Sequence, residues 1–282
     1  MYIRVIIIVI IIVIKYIYDI FYPTKQLENV FNPIKYTKRI PNIIFRTAED
    51  KKVSSSFYTY CHQKWVELNP DYNIVWYNNC DREKFLKKFY IGDVYNAYKT
   101  LKPGAFKADL WRLCVLYKFG GVYVDMFSVP MMSIKNMIKG CLKETKNFIS
   151  VLDSTKVNAI HNGFIICERN HPFLKQTIDD IVENVKKRYY GSSSLYCTGP
   201  ILLARSINRV LKKNKNIHKK GWNNHGNLSY YLYKHCHGPY QYIYKDELII
   251  LYKQFSFLHW IYRKKFDKND YDKMWYNKDV YL

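Results

Sequence analysis

Residues 103–125 read PGAFKADLWRLCVLYKFGGVYVD, and the fold turns on how this stretch divides. Pro103-Gly104 opens it, and Ala105 to Phe119 reads as a helix. Ala108, Trp111, Leu113, Val115 and Leu116 supply its apolar surface. Gly120-Gly121 ends the helix, because glycine takes the left-handed C-cap conformation without a Cβ penalty. Val122-Tyr123-Val124 then forms a strand leading directly to Asp125. Tyr123 and Asp125 flank Val124, so both point to one face of that strand.

Upstream, Pro41-Asn42-Ile43-Ile44-Phe45-Arg46 is short and apolar, as in a buried strand. Phe57, Tyr60, Cys61, Trp65 and Leu68 recur at helical spacing behind a run of serines that suits a cap. Asn69-Pro70-Asp71 stops this helix, and Asn73 to Tyr77 forms a second strand. Asp81 is expected to cap a helix carrying Phe85, Leu86 and Phe89. Strand, helix, strand, helix, strand predicts an α/β fold, a mostly parallel sheet of Rossmann type with helices on both faces. Ligands of such sheets bind beyond the carboxyl ends of the strands, where Asp125 falls. Downstream, Phe148–Leu152 and Phe164–Cys167 read as strands, Pro172–Val185 and Ile201–Leu211 as helices, with Thr198-Gly199-Pro200 a turn between them. The aromatic tail from Trp222 onward gives no clear period. Trp65 and Trp76 sit at core spacings.

The chain has 282 residues, long enough for one substantial domain, and 49% are hydrophobic, which excludes global disorder. Its 45 Lys and Arg against 23 Asp and Glu give a formal charge of +22, a surplus that attracts phosphate in nucleotides, nucleic acid or lipid. The lysines are scattered, as on a solvated surface, and no nucleic-acid-binding motif accompanies them. Seven cysteines lie far apart without a C-x-x-C pair, so neither a zinc nor a redox motif is present.

At the amino end, Val5 to Ile14 is an unbroken run of Ile and Val, and apolar character resumes at Tyr16. Residues 3–22 taken together are long enough to span a bilayer, with Lys15 and Asp19 placed to pair or snorkel. No small residues mark a cleavage site, whereas Arg4 ahead of the run and tyrosines at its far edge suit a signal-anchor. Residues 1–22 are therefore expected to be a membrane anchor helix, 23–38 a linker and 39–282 the globular domain, carried on the lumenal side of a single-pass type II protein.

The stretch Lys107-Ala108-Asp109-Leu110-Trp111-Arg112, followed by Leu116 to Asp125, resembles the sugar-binding DXD region of glycosyltransferase family 32. The likeness extends to Ile40–Ile44, Trp65, Asn69–Tyr72, Trp76, Asn162-Gly163-Phe164, His171-Pro172 and Thr198-Gly199-Pro200. The resemblance implies a GT-A-like domain that transfers a hexose from a UDP- or GDP-sugar to a glycan or glycoprotein, with retention, in a Golgi- or ER-like membrane. It assigns Asp125 the catalytic position and places Asp109, Arg112, Tyr123, Asn162 and Gly163 at the donor. It also implies Mn²⁺ or Mg²⁺, held at Asp125, with His259 a late candidate ligand. The family's second acidic position, two after Asp125, is occupied here by Phe127. Two further readings follow: a catalytically impaired relative that binds nucleotide-sugar or glycan, motivated by Phe127, and a basic membrane-surface or nucleic-acid-binding protein, motivated by the charge.

Overall fold

The computed structural model describes residues 25–26, 39–49, 52–53, 56–144, 146–153, 159–214, 217–225, 227–236, 241–244, 247–252 and 270–282. The expected anchor over 1–22 and His259 lie outside these residues. So does the 23–38 linker, except Lys25–Gln26, which pairs antiparallel with Lys52–Val53. Among the described residues no helix is long and apolar enough to cross a membrane.

The domain begins with β1 (Ile43–Thr47), α1 (Ser56–Leu68), β2 (Asn73–Tyr77), α2 (Asn79–Phe89), α3 (Asp93–Thr100), α4 (Gly104–Phe119), β3 (Gly121–Val124) and β4 (Ser128–Pro130). It continues with α5 (Ile134–Met137), β5 (Phe148–Asp153), β6 (Ala159–Cys167), α6 (Pro172–Lys186) and α7 (Pro200–Val210). The last elements are β7 (Gly221–His225), β8 (Leu228–Cys236), β9 (Gln241–Tyr244), β10 (Glu247–Tyr252) and α8 (Tyr271–Tyr276).

Among the described residues ten strands form one mixed sheet in the order β2-β1-β3-β6-β5-β8-β9-β10-β4, with β7 added beside β8. The parallel arrangement expected from the sequence runs through β2-β1-β3 and recurs at β5-β8. The other pairings are antiparallel. Side-chain alternation divides the core between the two faces. Ile43, Phe45 and Tyr123 join α2, α3, α4, α6 and α7 on one face, while Ile44, Val122 and Val124 join Trp65 of α1 and Ile134 and Met137 of α5 on the other. Trp65 and Trp76 are core residues, 0% and 2% exposed.

The junction between α4 and β3 needs both of its glycines. Gly120 and Gly121 have φ of +68° and +104°. A Cβ on Gly120 would stand 2.7 Å from the Arg169 backbone nitrogen, and one on Gly121 would stand 2.8 Å from the Ile43 carbonyl oxygen. The cap of α2 differs from expectation. Asn78 is the N-cap, accepting from the Asp81 N–H at 2.8 Å, and Asp81 reaches back to the Asn78 N–H at 3.2 Å. Asp81 is thus the returning member of a capping box, one turn inside the helix. The strand expected from Phe164 starts earlier: β6 begins at Ala159 and carries Asn162 and Gly163 within it.

Candidate active site

The chain ends β3 at Val124 and turns through Asp125–Phe127 into β4. The expected Asp109 and Arg112 lie one turn apart on α4, facing this bend, and the start of β6 closes the group. Asn162 Nδ2 donates to Asp109 Oδ1 at 2.9 Å, and Thr198 Oγ donates to Asp109 Oδ2 at 2.8 Å. Arg112 stands 3.3 Å from Asp109 Oδ1 and 3.6 Å from Asp125 Oδ1. Its Nη1 donates to the Asn162 carbonyl at 3.0 Å, and its guanidinium lies 4.5 Å from the centre of the Tyr123 ring. Tyr123 in turn donates its hydroxyl to Asp125 Oδ1 at 2.8 Å. Gly163 contributes through its backbone, accepting the Asp125 N–H at 2.9 Å.

The structure therefore brings together Asp109, Arg112, Tyr123, Asp125, Asn162 and Gly163. An Asp and an Arg three apart on a helix are usually a surface ion pair, worth little. This pair is buried, with 9% and 7% of each residue exposed. Burial pushes the Asp109 carboxyl up to about 6, against the opposing pull of Arg112, Thr198 and Asn162. Burial likewise holds the Tyr123 hydroxyl protonated, well above the usual phenol range, so it remains a donor to Asp125.

The Asp125 bend is braced from behind by residues that local sequence reasoning did not single out. Arg46, fully buried at the end of β1, donates Nη2 to the carbonyls of Asp125 at 3.2 Å and Met126 at 2.9 Å. Ser128 Oγ donates to the Asp125 carbonyl at 2.7 Å, and Trp65 Nε1 donates to the Ser128 carbonyl at 2.9 Å. Arg46 did carry a signal, as a charge at the end of an otherwise apolar strand. Thr198 lies far along the chain from Asp109, and only the Thr-Gly-Pro resemblance pointed to it.

Asp109, Arg112, Tyr123, Asp125 and Asn162 line the inner end of a cavity of about 590 Å³. Phe127 also lines it, so the residue in the second acidic position does face the cleft. It does so from a turn rather than through strand alternation. At the outer end, Thr47 ends β1, Glu49 follows it and Gly104 opens α4. There Arg82, 1% exposed, donates Nη1 to Thr47 Oγ at 2.7 Å and Nη2 to Glu49 Oε1 at 3.0 Å.

A divalent cation held by protein wants several oxygen or nitrogen ligands. Among the described residues no three His, Cys, Asp or Glu side chains converge in that way. Asp125 is paired with Phe127, and its Oδ1 is already engaged by Tyr123 and Arg112. Among the described residues this donor set does not by itself fit a metal ion held by side chains alone. Cys80, Cys114, Cys167 and Cys197 are free thiols.

A helix carrying Asp109 and Arg112 thus runs into a strand that leads to Asp125, and the three line one cleft. Residues 56–145 match the family described as "Glycosyltransferase sugar-binding region containing DXD motif". Residues 56–145 thus carry the region that the Lys107–Asp125 resemblance implied. The chain is similar to inositol phosphoceramide mannosyltransferase 3 of Schizosaccharomyces pombe, with 23% identity over 64% of this chain and 49% of the relative. It is also similar to initiation-specific alpha-1,6-mannosyltransferase of Candida albicans, with 26% identity over 58% of this chain and 48% of the relative. The chain spans about half the length of these curated relatives. Against the solved PaToxG glycosyltransferase the identity is 17% and the TM-score 0.46, over 73% of this chain and 77% of that one.

Proposed function

We propose that this protein transfers a hexose from a nucleoside-diphosphate sugar to a glycan or glycoprotein, on a GT-A-like scaffold. One observation carries the reading: the buried Asp109–Arg112 pair, joined to the partly exposed Asp125 and closed by Tyr123 and Asn162, lines the inner end of an open cleft. Asp109 and Asn162 supply acceptors and donors for sugar hydroxyls. Arg112 supplies fixed positive charge where the diphosphate leaves, in a site shielded from water where such charge acts strongly. Retention of anomeric configuration and the choice between UDP- and GDP-sugars rest on the family resemblance. The apolar segment 1–22 supports a membrane-anchored, lumenal enzyme; carbonate extraction should leave the full chain in the membrane pellet.

The test is a thermal-shift and turnover screen of the full chain with UDP- and GDP-hexoses, with Mn²⁺ and with EDTA. Stabilisation by a nucleotide-sugar is expected in both conditions, since a ligand that binds only the folded state raises its apparent stability. No stabilisation by any of them would overturn the reading. Phe127 in the cleft favours a second reading, a relative that binds the donor without transferring it. Stabilisation without transfer or hydrolysis would select that one.

A further inference from the structure

Resting on the donor-binding reading above, we propose that Glu49 reads the nucleoside of the donor, accepting a pair of adjacent hydrogen-bond donors at the outer end of the cleft. Three independent features shape this carboxylate. Buried Arg82 holds it through Oε1 at 3.0 Å, while Arg82 is itself fixed by Thr47 Oγ at 2.7 Å and Asn79 Oδ1 at 3.3 Å. Gly104 makes room for it, because a Cβ there would lie 2.4 Å from Glu49 Oε1 and 3.3 Å from Oε2. The side chain remains 51% exposed although its partner is 1% exposed, so the carboxylate bridges the protein interior and the cleft. Oε2 has no other bond among the described residues.

On that reading the inner end holds the sugar and its leaving phosphates, and the nucleoside extends toward Thr47, Glu49 and Gly104, which line the same cavity. An ionised carboxylate only accepts hydrogen bonds. It therefore selects ligand edges with two neighbouring donors, and a nucleoside offers two such edges. One is the ribose 2′,3′-diol, common to all bases. The other is the N1–H and N2–H edge of guanine. Uracil presents a single N–H between two carbonyls, whose oxygens a carboxylate repels. Arg82 is a positioning residue here, acting through Glu49.

Calorimetric titration of GDP, UDP and 2′-deoxy-GDP into the full chain, Glu49→Gln and Gly104→Ala tests this. Glu49→Gln keeps an oxygen toward Arg82 but loses the charge. Gly104→Ala keeps the charge but displaces the carboxylate, a flexible side-chain end that can move without disturbing the helix. Both variants should weaken GDP binding about tenfold or more, the effect of losing a charge-assisted hydrogen-bonded contact. If UDP weakens equally and 2′-deoxy-GDP binds poorly to the natural chain, the ribose diol is the partner. If only the guanine nucleotides weaken, the base edge is. Nucleotide binding indifferent to both substitutions overturns this inference alone. A natural chain that binds no nucleoside diphosphate overturns the functional reading with it.

Discussion

At the inner end of the cleft Asp109, Arg112, Tyr123 and Asn162 satisfy one another almost out of reach of solvent, with Asp125 at the rim. At the outer end Glu49 leans on buried Arg82 with half of its side chain in water. The inner end is organised before any ligand arrives, so its dipoles need no rearrangement when charge develops. The outer end is held through one carboxylate oxygen, Oε1, with half of the Glu49 side chain in water. Rigidity thus concentrates where bonds would break, and exposure to water where a ligand would be recognised.

Arg112→Ala should break this contrast most severely. It leaves the Asp109 and Asp125 carboxylates without their shared cation, and breaking a buried pair costs about 3–5 kcal/mol. A urea melt should show this loss, and an unchanged midpoint would mean that the network does not hold the inner end together. Asp125→Ala comes next. Asp125 is a quarter exposed at the rim, so folding should survive while turnover falls about tenfold or more, equivalent to about 1.4 kcal/mol at the transition state.

The third prediction uses pH. As pH falls through about 6, Asp109 takes up a proton and loses both its charge for Arg112 and its full capacity to accept sugar hydroxyls. Donor affinity should therefore fall about tenfold between pH 7 and pH 5, and Asp109→Asn should flatten that step. Stability should move the opposite way. A carboxyl whose pKa is raised by folding favours the fold most below its ordinary range of about 4, and that contribution is lost as pH rises through about 6. The melting temperature of the natural chain, measured relative to Asp109→Asn, should accordingly climb on acidification. The smallest effect is expected at Phe127. Phe127→Asp should raise Mn²⁺ affinity about tenfold by adding a charged ligand beside Asp125, and titration calorimetry reads it directly.

The inner end was legible in the sequence because its framework is local. A helix, a glycine pair and a strand follow one another from Gly104 to Val124. Helical spacing puts Asp109 beside Arg112 and the strand end places Asp125, while the family 32 resemblance assigns them to the site. Arg46, Thr198 and the Glu49–Arg82 pair were not legible as site residues, because each reaches its place through contacts between distant segments. The tail hid its strands for a different reason. In β8, Tyr230 and Leu232 enter one core while Tyr233 enters the other, with Tyr231 packed beside it. A strand buried on both faces shows no apolar–polar alternation to read. Helix α3 was missed as well: it is short, follows Gly92 at φ +94°, has no side-chain cap and buries only Ala97 and Tyr98.

The bend at Asp125 joins two strands that stand far apart in the sheet. β3 lies between β1 and β6, but β4, which follows the bend, pairs with β10, Val129 lying opposite Leu251. The second anchor of the bend is thus made late in the chain. During synthesis, a chain that has just released α7 already carries Asp109, Arg112, Asp125 and Asn162, yet has nothing to pair with β4. Contacts of such long sequence separation form slowly, because the loop they close must be ordered first. The Asp125 bend therefore gains its second anchor only after Glu247–Tyr252 has emerged, which delays the finished cleft until the domain is nearly complete.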